Sequence, residues 1–404
     1  MKFLLGQNLV YVPTYGGANK SNRMLLELLS DRGNTCLAVT PACGVQGPRT
    51  VKEMLAEITS RDICPRIESN EVISYRCNGV DVRAVMDPRK LRANFQSQIN
   101  EFAPDWVIVS SEDTFSSLLS GAVQAASSNI VYLARTTMLL PFGPDSSFPD
   151  PVGAQRLEKT TLILSVSKFI QDYIARWGGL ESNVVPLSFY GSEPFPDYTC
   201  FDRGHVTLVN PCAVKGISIF LRLATDMPQV SFAAVPTWGT TAADRNALAA
   251  LPNATILPPA RNIDEILCRT RILLVPSLWA EGKGEIVIEA MLRGIPVIAA
   301  NIGGLEEAKL GVDYLLPICP IKKYLCEFDE CMLPVPVVPE QDLTPWKHAL
   351  DKLLSDRAHY LELSNASREA ALRFAKTATV KPFLEALVSK SSRPTPSRVS
   401  GLFA

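Results

Sequence analysis

The sequence predicts an α/β protein made of two doubly wound parallel-sheet domains. Short apolar runs such as residues 105–110 and 129–134 alternate with helical patterns and lack the in-out alternation of a half-exposed strand. Such runs are typical of parallel strands buried on both faces. A stretch rich in Pro, Gly and aromatic residues interrupts the pattern over 184–204, and strand-like runs resume at residue 205.

The chain length supports two domains. With 404 residues, the chain exceeds the size of a single core, and two domains of about 190 residues are expected. After residue 340 only helical patterns remain, and a final helix could cross back to the first domain. We predict an N-terminal domain over 1–186, a linker over 187–204, a C-terminal domain over 205–375, a crossing helix over 376–390 and a disordered Pro- and Ser-containing tail over 391–404.

Composition excludes several classes of protein. Apolar residues make up 47% and charged residues 20% of the chain, as in a soluble globular protein. A net charge of −1 gives no reason to expect a nucleic-acid partner. No uninterrupted apolar stretch reaches the length of a membrane span, and Gln7 and Asn8 interrupt the apolar start before it reaches signal-peptide length.

The cysteines favour a reducing, cytoplasmic location. Ten cysteines are spread through the chain without a C-x-x-C pair, which argues against a disulfide scaffold and a thioredoxin-type site. Cys319, Cys326 and Cys331 form the closest group but lack a fourth ligand at zinc-finger spacing and a nearby histidine. We therefore expect buried free thiols and no metal.

One stretch, residues 278–304, has the pattern of a phosphate and ribose site. A strand-like run ends at 277, EGKG forms a glycine-rich turn, and a helical pattern follows. Glycines allow close approach to a ligand, and a helix start offers free N–H groups to an anion. Glu289 lies four residues after Glu285, on the same helix face, where it could accept hydrogen bonds from two ribose hydroxyls. Alternatively, Glu289 is a solvated helix residue.

This stretch also carries a resemblance. PSLWAEGKGEIVIEAMLRGIPVIAANIGGLEE resembles the signature of glycosyltransferase family 4, with seven residues between two acids followed by Gly-x-Pro-Val-Ile and Gly-Gly. VNPCAVKGISIFLRLA and GGANKSNRMLLELLSDRG resemble two further family segments. The resemblance implies the GT-B fold of two facing Rossmann-like domains and the retaining transfer of a sugar from a nucleotide donor. It also implies that no metal or other cofactor is bound.

The resemblance assigns donor-binding roles within the C-terminal domain. Glu289 would bind the ribose hydroxyls, and Ile286 would pack near the ribose. Gly282, Gly284 and Glu285 would present backbone N–H groups to the donor.

Further roles follow from the same resemblance. Glu281 would hold hydroxyls of the transferred sugar or lie beside the anomeric carbon, and Lys215 would neutralise the leaving diphosphate. Gly16 and Gly17 would shape the opposite side of the cleft, although such pairs are also plain turns. Arg261 lies in the segment that borders the base, where its side chain could simply cap the loop.

The sequence departs from the family pattern at two positions beside the diphosphate. Asn210 stands where the family usually has an arginine, so one cation is missing. Lys283 stands in the glycine turn where an aromatic residue is usual. We interpret Lys283 as the replacement cation; the alternative is a solvated lysine on a turn.

Another departure lies in the N-terminal domain. Arg135 occupies the place after the 129–134 strand where the family often has a histidine near the donor sugar, and we include it among the catalytic candidates. Ser111 and Glu112 follow the 105–110 strand and are acceptor-side candidates, because open α/β sheets bind ligands at such strand ends. Helix capping by Ser111 or Asp113 is the alternative.

The predicted function is that of a metal-independent glycosyltransferase with a nucleotide-diphosphate sugar as donor. Its acceptor would be the hydroxyl of a small molecule or a glycan. Asn210 and Arg135 leave open a nucleotide-sugar-binding protein with impaired catalysis, and another GT-B enzyme is a further alternative. The sequence does not determine the nucleotide, the sugar, the acceptor or the oligomeric state.

Overall fold

A computed structural model describes residues 1–14, 16–44, 47–125, 129–191 and 193–391. The chain forms two α/β units, each built on its own sheet. The strands of the first sheet are β1 (Lys2–Gly6), β2 (Thr35–Pro41), β3 (Arg66–Ile67), β4 (Val72–Cys77), β5 (Val80–Val85), β6 (Trp106–Ser110), β7 (Asn129–Ala134), β8 (Leu162–Ser165) and β9 (Asn183–Val184).

The first sheet has the order β3-β4-β5-β2-β1-β6-β7-β8-β9. Strand β1 lies at its centre and pairs in parallel with β2 and β6. The β1 sequence, which we did not predict to be a strand, is short and apolar and fits a position covered on both faces. Parallel pairing brings the carboxyl ends of β1, β6 and β7 to one edge, and this edge faces the second unit.

The β4–β5 hairpin was missed by the sequence analysis. These strands pair antiparallel across Asn78 and Gly79, which both have positive φ, so the first sheet is mixed at this end. An Asn-Gly pair between alternating apolar residues is the strongest short-range hairpin signal, and it could have revealed the turn.

The second sheet is wholly parallel, with the order β12-β11-β10-β13-β14-β15. A separate antiparallel hairpin, β16 paired with β17, follows it. The bounds are β10 (His205–Val209), β11 (Phe232–Val235), β12 (Ala254–Ile256), β13 (Thr270–Val275), β14 (Val297–Ala300), β15 (Leu315–Leu316), β16 (Tyr324–Phe328) and β17 (Pro334–Pro336).

Helices cover both sheets and form most of the chain after β17. Those of the first unit are α1 (Gly17–Ser30), α2 (Val51–Thr59), α3 (Leu91–Phe102), α4 (Ser117–Ala125), α5 (Pro151–Leu157) and α6 (Lys168–Tyr173). The others are α7 (Ile217–Asp226), α8 (Ala242–Ala249), α9 (Asp264–Leu267), α10 (Glu285–Met291), α11 (Leu305–Ala308), α12 (Thr344–Ser355), α13 (Arg357–Ala375) and α14 (Lys381–Ser391).

Each unit has its own apolar core, and the last helix crosses between them. Val380, Phe383 and Leu387 on and beside α14 are buried in the core of the first sheet, although α12 and α13 pack on the second. The predicted fold class, two Rossmann-like parallel-sheet domains with a helix that crosses back, is therefore confirmed.

The segment between the sheets is packed against the second unit. Phe195 is buried in the second core, and Tyr198 donates its backbone N–H to the carbonyl of Arg293. The exact domain limits remain predictions, and the predicted tail lies outside the described residues apart from Ser391. No helix among the described residues is long and apolar enough to span a membrane.

Removing the Phe383 ring tests the crossing helix. The ring is fully buried and lies 6.3 Å from the ring of Phe3, so Phe383→Ala should lower the free energy of unfolding by about 3–5 kcal/mol. Glu385 lies on the same helix with 64% of its side chain exposed, and Glu385→Ala should change it by less than about 1 kcal/mol. Denaturant titration of both variants measures the difference, and equal effects would contradict this packing.

Candidate functional site

The glycine turn between β13 and α10 is pressed against the first unit. A Cβ on Gly282 would lie 1.9 Å from the carbonyl oxygen of Arg135, which directly follows β7. The Gly282 carbonyl also accepts a hydrogen bond of 2.6 Å from the hydroxyl of Ser167. Gly284 caps α10 with φ 84°, in the left-handed region. Glycine is therefore required at 282 by contact and at 284 by backbone conformation.

Glu281 precedes this turn as an ionised acid whose side chain is 11% exposed. Its Oε1 accepts hydrogen bonds from the Lys215 ammonium (2.5 Å), the Ser277 hydroxyl (2.6 Å) and the Trp279 indole (3.0 Å). Burial alone would raise the pKa of Glu281, but the charge of Lys215 and these hydrogen bonds outweigh it and lower the pKa. Glu281 therefore serves as an acceptor for donors at neutral pH and not as an acid.

Lys215 is held against the Glu281 carboxylate and the Trp279 ring. Its ammonium lies 5.0 Å from the centroid of the Trp279 ring, in a cation–π contact, and its side chain is 20% exposed. It lies on a short turn, Ala213–Lys215, that follows β10. Lys215 and Glu281, separated by 66 positions, thus form one ion pair at the strand ends of the second sheet.

Glu285 and Glu289 lie on α10 and contact residues that come before the second sheet in the chain. Glu285 accepts hydrogen bonds of 2.6 Å from the Ser188 and Tyr190 hydroxyls. Glu289 accepts one of 2.8 Å from the ammonium of Lys20, on α1 of the first unit. Both carboxylates therefore face the boundary between the units, as their spacing on one helix predicts.

The Lys20–Glu289 pair crosses between the two units. The side chain of Glu289 is 15% exposed and that of Lys20 is 45% exposed, so solvent reaches the pair from the lysine side. Lys20 also helps to lower the pKa of Asp264, although the largest contribution there comes from Arg293. The carboxylate predicted to bind ribose is thus partly accessible, and Lys20 is its ion-pair partner among the described residues.

Lys283 turns toward the segment between the sheets. Its ammonium donates to the Pro186 carbonyl at 3.0 Å and the Ser188 hydroxyl at 2.7 Å and lies 4.9 Å from the Phe374 ring centroid. Burial lowers its pKa to about 8. The side chain is 8% exposed, so it is not the solvated lysine of the alternative interpretation. Its role as a diphosphate cation remains a prediction.

Arg135 is a buried cation at the unit boundary. Its Nε donates to Oδ1 of Asn22 on α1 at 3.0 Å, and its backbone N–H donates to the Ser111 hydroxyl at 3.0 Å. The residue is 8% exposed. Burial lowers the pKa of the guanidinium, and this effect is opposed by attraction to Glu112 and Glu285.

Asn210 lies at the end of β10 and is buried with φ 59°. Its Oδ1 accepts the Gly239 backbone N–H at 3.0 Å, while its Nδ2 has no hydrogen-bond partner among the described residues. The asparagine therefore supports the loop after β11 and brings no charge to the site.

The acceptor-side candidates differ in their hydrogen-bond contacts. Ser111 holds the backbone of Arg135, and Glu112 accepts hydrogen bonds from the Ser110 and Ser111 hydroxyls. Asp113 accepts the backbone N–H groups at the start of α4, so Asp113 and not Ser111 is the helix cap. Contact of Ser111 or Glu112 with an acceptor remains a prediction.

The remaining candidates lie around the rim. Gly16 caps α1 with φ 76°, and Gly17 begins that helix. Ile286 is partly buried on the second core. Arg261 pairs with Glu57 of α2 at 2.9 Å, with 64% of its side chain exposed, so it joins the two units at the surface and is not part of the buried cluster.

Sequence reasoning missed Lys20, Asn22, Ser188 and Tyr190. Each contacts a predicted site residue, but each lies at least 95 positions away from its partner in the chain. No local pattern marks these contacts. Within the described ranges, no group of three His, Cys, Asp or Glu side chains is placed to hold a metal ion.

The part of the site in the second unit lies in a segment that matches a known family. Residues 208–320 match the model of the glycosyl transferases group 1, a stretch that includes Lys215, the glycine turn and Glu289. No curated protein sequence matches the chain.

Solved structures match nearly the whole chain. Sucrose-phosphate synthase from Thermosynechococcus elongatus aligns with TM-score 0.69 and 16% identity over 97% of this chain and 100% of its own. HepE from Anabaena, in complex with UDP and glucose, aligns with TM-score 0.66 and 17% identity over 96% and 100%. The catalytic domain of starch synthase IV from Arabidopsis thaliana, bound to ADP and acarbose, aligns with TM-score 0.66 and 11% identity over 97% and 99%.

These matches define the fold. The chain has the GT-B fold, with two Rossmann-like domains that face each other. A segment of its second domain matches the group 1 glycosyltransferase model, and the candidate residues of that domain lie within this segment.

Adding a methyl group at position 282 should separate the two domains. An alanine Cβ cannot lie 1.9 Å from a backbone oxygen, so Gly282→Ala should lower stability by about 1–3 kcal/mol and increase the radius of gyration. Gly44→Ala is the control, because no atom of the described residues, apart from its chain neighbours, lies within 4 Å of its Cβ position. X-ray scattering and thermal melting measure both effects, and identical behaviour of the two variants would contradict the close contact.

The buried Lys283 should make stability rise with pH. Its pKa is about 8 in the folded chain, against 10.5 for an ordinary lysine, so between these values the folded state binds fewer protons than the unfolded state. The free energy of unfolding should then increase with pH by an amount on the order of 3 kcal/mol. Lys283→Met removes this titration. The stability of wild type relative to Lys283→Met should therefore increase from pH 8 to 10.5, and a flat difference would show that the amine is not desolvated.

Proposed function

We propose that the protein is a glycosyltransferase that moves a sugar from a nucleotide-diphosphate sugar to an acceptor hydroxyl with retention of configuration. The observation that carries this proposal is the placement of Glu281 and Glu289 on either side of a glycine turn at the domain boundary, inside the segment that matches the family model.

Glu289 is suited to the donor ribose. A carboxylate accepts hydrogen bonds from two vicinal hydroxyls, and its present partner is the partly exposed ammonium of Lys20. When the ribose hydroxyls take over the Glu289 oxygens, Lys20 is released beside the donor. The single salt bridge that is lost is a weak one, because it is open to solvent.

Glu281 and Lys215 are suited to the transferred sugar and the diphosphate. In the reaction, the bond between the anomeric carbon and the phosphate oxygen breaks, a bond to the acceptor oxygen forms, and the acceptor proton passes to the leaving phosphate. Lys215 would stabilise the negative charge that develops on that phosphate. The ionised Glu281 would accept hydrogen bonds from the sugar hydroxyls and keep Lys215 in place.

Metal independence and a small-molecule or glycan acceptor are parts of this proposal. Lys215 offers a positive charge of the kind that a metal supplies in other phosphate-transfer sites. The names of the similar structures refer to UDP with glucose and to ADP. UDP- and ADP-sugars are therefore the first donors to test, followed by GDP- and dTDP-sugars.

Removing the charge of Glu289 should weaken donor binding. Glu289→Gln should reduce the affinity for the nucleotide sugar by about 1–3 kcal/mol, as when a charge-assisted hydrogen bond is lost in a sheltered site. Isothermal titration calorimetry with the donors above measures this change. Glu306→Gln, the same chemical change at an exposed site on α11, should leave binding as it is.

Turnover and stereochemistry complete this test. NMR of the product from an α-linked donor should show an α-linkage. If no nucleotide sugar binds, or if Glu289→Gln binds like wild type, the ribose assignment is wrong. Tight binding without transfer to any acceptor would support the alternative of a nucleotide-sugar-binding protein with impaired catalysis.

A further inference from the structure

Arg135 carries hydrogen-bond donors that the protein leaves unused. Its Nη2 is buried and has no hydrogen-bond partner among the described residues, and the same is true of Nδ2 of Asn22. These residues are joined by the 3.0 Å hydrogen bond from Arg135 Nε to Asn22 Oδ1. Nε and Nη2 lie on the same edge of a guanidinium group. The two unused donors, Nη2 of Arg135 and Nδ2 of Asn22, therefore flank the hydrogen bond that joins the two residues.

The direction of the Asn22 amide is determined by its partner. Arginine has only donors, so the Asn22 atom that faces it must be the oxygen, and the NH₂ group points away from Nε. The pair therefore presents N–H groups from two side chains and no acceptor. Buried donors without partners are rare in folded proteins, so a ligand oxygen placed here would gain hydrogen bonds that the described residues do not provide.

The charge of Arg135 is also unmatched at contact distance. Glu112 and Glu285 attract the guanidinium without a hydrogen bond to it, and each is occupied by two hydroxyl donors. Lys283, the other nearby cation, repels it. The Arg135 guanidinium therefore has no ion-pair partner among the described residues of the first domain, the glycine turn and α10.

The position of Arg135 relates these donors to the transferred sugar. Its carbonyl oxygen lies against Gly282, the residue after Glu281. Under the proposed function, Glu281 holds hydroxyls of the sugar, so Arg135 belongs to the part of the first domain that borders this subsite. A group on the far side of the sugar ring would meet Arg135 and Asn22.

We propose that Arg135 and Asn22 bind the carboxylate of an acidic donor sugar, so that the preferred donor is a nucleotide-diphosphate hexuronate. This inference rests on the proposed function. A carboxylate has two oxygens for the two unused donors and supplies the missing negative charge, in the planar geometry that matches a guanidinium. The hydroxymethyl group of a neutral hexose has one oxygen and no charge, and would leave a buried cation unpaired.

Matched ligands test this preference. Calorimetry first identifies which of UDP, GDP, ADP and dTDP binds, and the binding of that diphosphate is then compared with that of its hexose and hexuronate forms. The hexuronate should bind at least about tenfold more tightly than the hexose. Arg135→Gln should remove this preference and should weaken hexuronate binding far more than binding of the bare diphosphate.

A second variant keeps the test independent of folding defects in Arg135→Gln. Asn22→Asp is nearly isosteric and places an internal carboxylate beside the guanidinium. It should raise the melting temperature and also abolish the hexuronate preference, because the protein then supplies the missing charge itself. A lower melting temperature with the preference intact would show that the charge of Arg135 is already matched, and would overturn the proposal.

The binding results distinguish a failure of the proposed function from a failure of the acidic-sugar assignment. If no nucleotide diphosphate binds, the proposed function fails and this inference fails with it. If a diphosphate binds but hexose and hexuronate forms bind equally, only the acidic-sugar assignment is overturned. If Arg135→Gln weakens the bare diphosphate as much as the hexuronate, Arg135 faces the phosphates and the assignment is again wrong.

Discussion

The close contact between the glycine turn and the end of β7 is the constraint on which the site depends. Gly282 meets the Arg135 carbonyl at a distance that leaves no space for a side chain, and the Gly282 carbonyl is bound by Ser167. The turn is therefore held by both domains. Because Glu281 precedes it and α10 follows it, the positions of Glu281, Glu285 and Glu289 depend on this contact.

Three acids beside the turn accept hydrogen bonds from three different parts of the chain. Glu281 is paired with Lys215 of its own domain, Glu285 with hydroxyls of the segment between the sheets, and Glu289 with Lys20 of the first domain. Glu281 and Glu289 are 11% and 15% exposed, but Lys20 is 45% exposed whereas Lys215 is 20% exposed. This difference between the two lysines suits a site in which Glu289 exchanges its partner for a ligand while Lys215 stays beside Glu281.

The cations near the boundary differ from one another in their contacts. Lys215 has a carboxylate at contact distance, whereas Lys283 and Arg135 have carbonyl, hydroxyl or amide partners and repel each other. Two buried cations without contact ion pairs are unfavourable in the free protein. Binding of an anionic donor would relieve this unfavourable term, so the domain boundary is prepared for negative charge.

The sequence by itself determined the alternating strands and helices, the glycine turn and the crossing helix, because apolar periodicity and turn residues act over a few positions. It missed β1 and the β4–β5 hairpin, where the signals were present but were not used. Only the tertiary structure paired Lys20 with Glu289 across 269 positions and Arg135 with Asn22 across 113. Such contacts depend on how two separately folded sheets meet, and the polar residues that form them follow no period that a single sequence reveals.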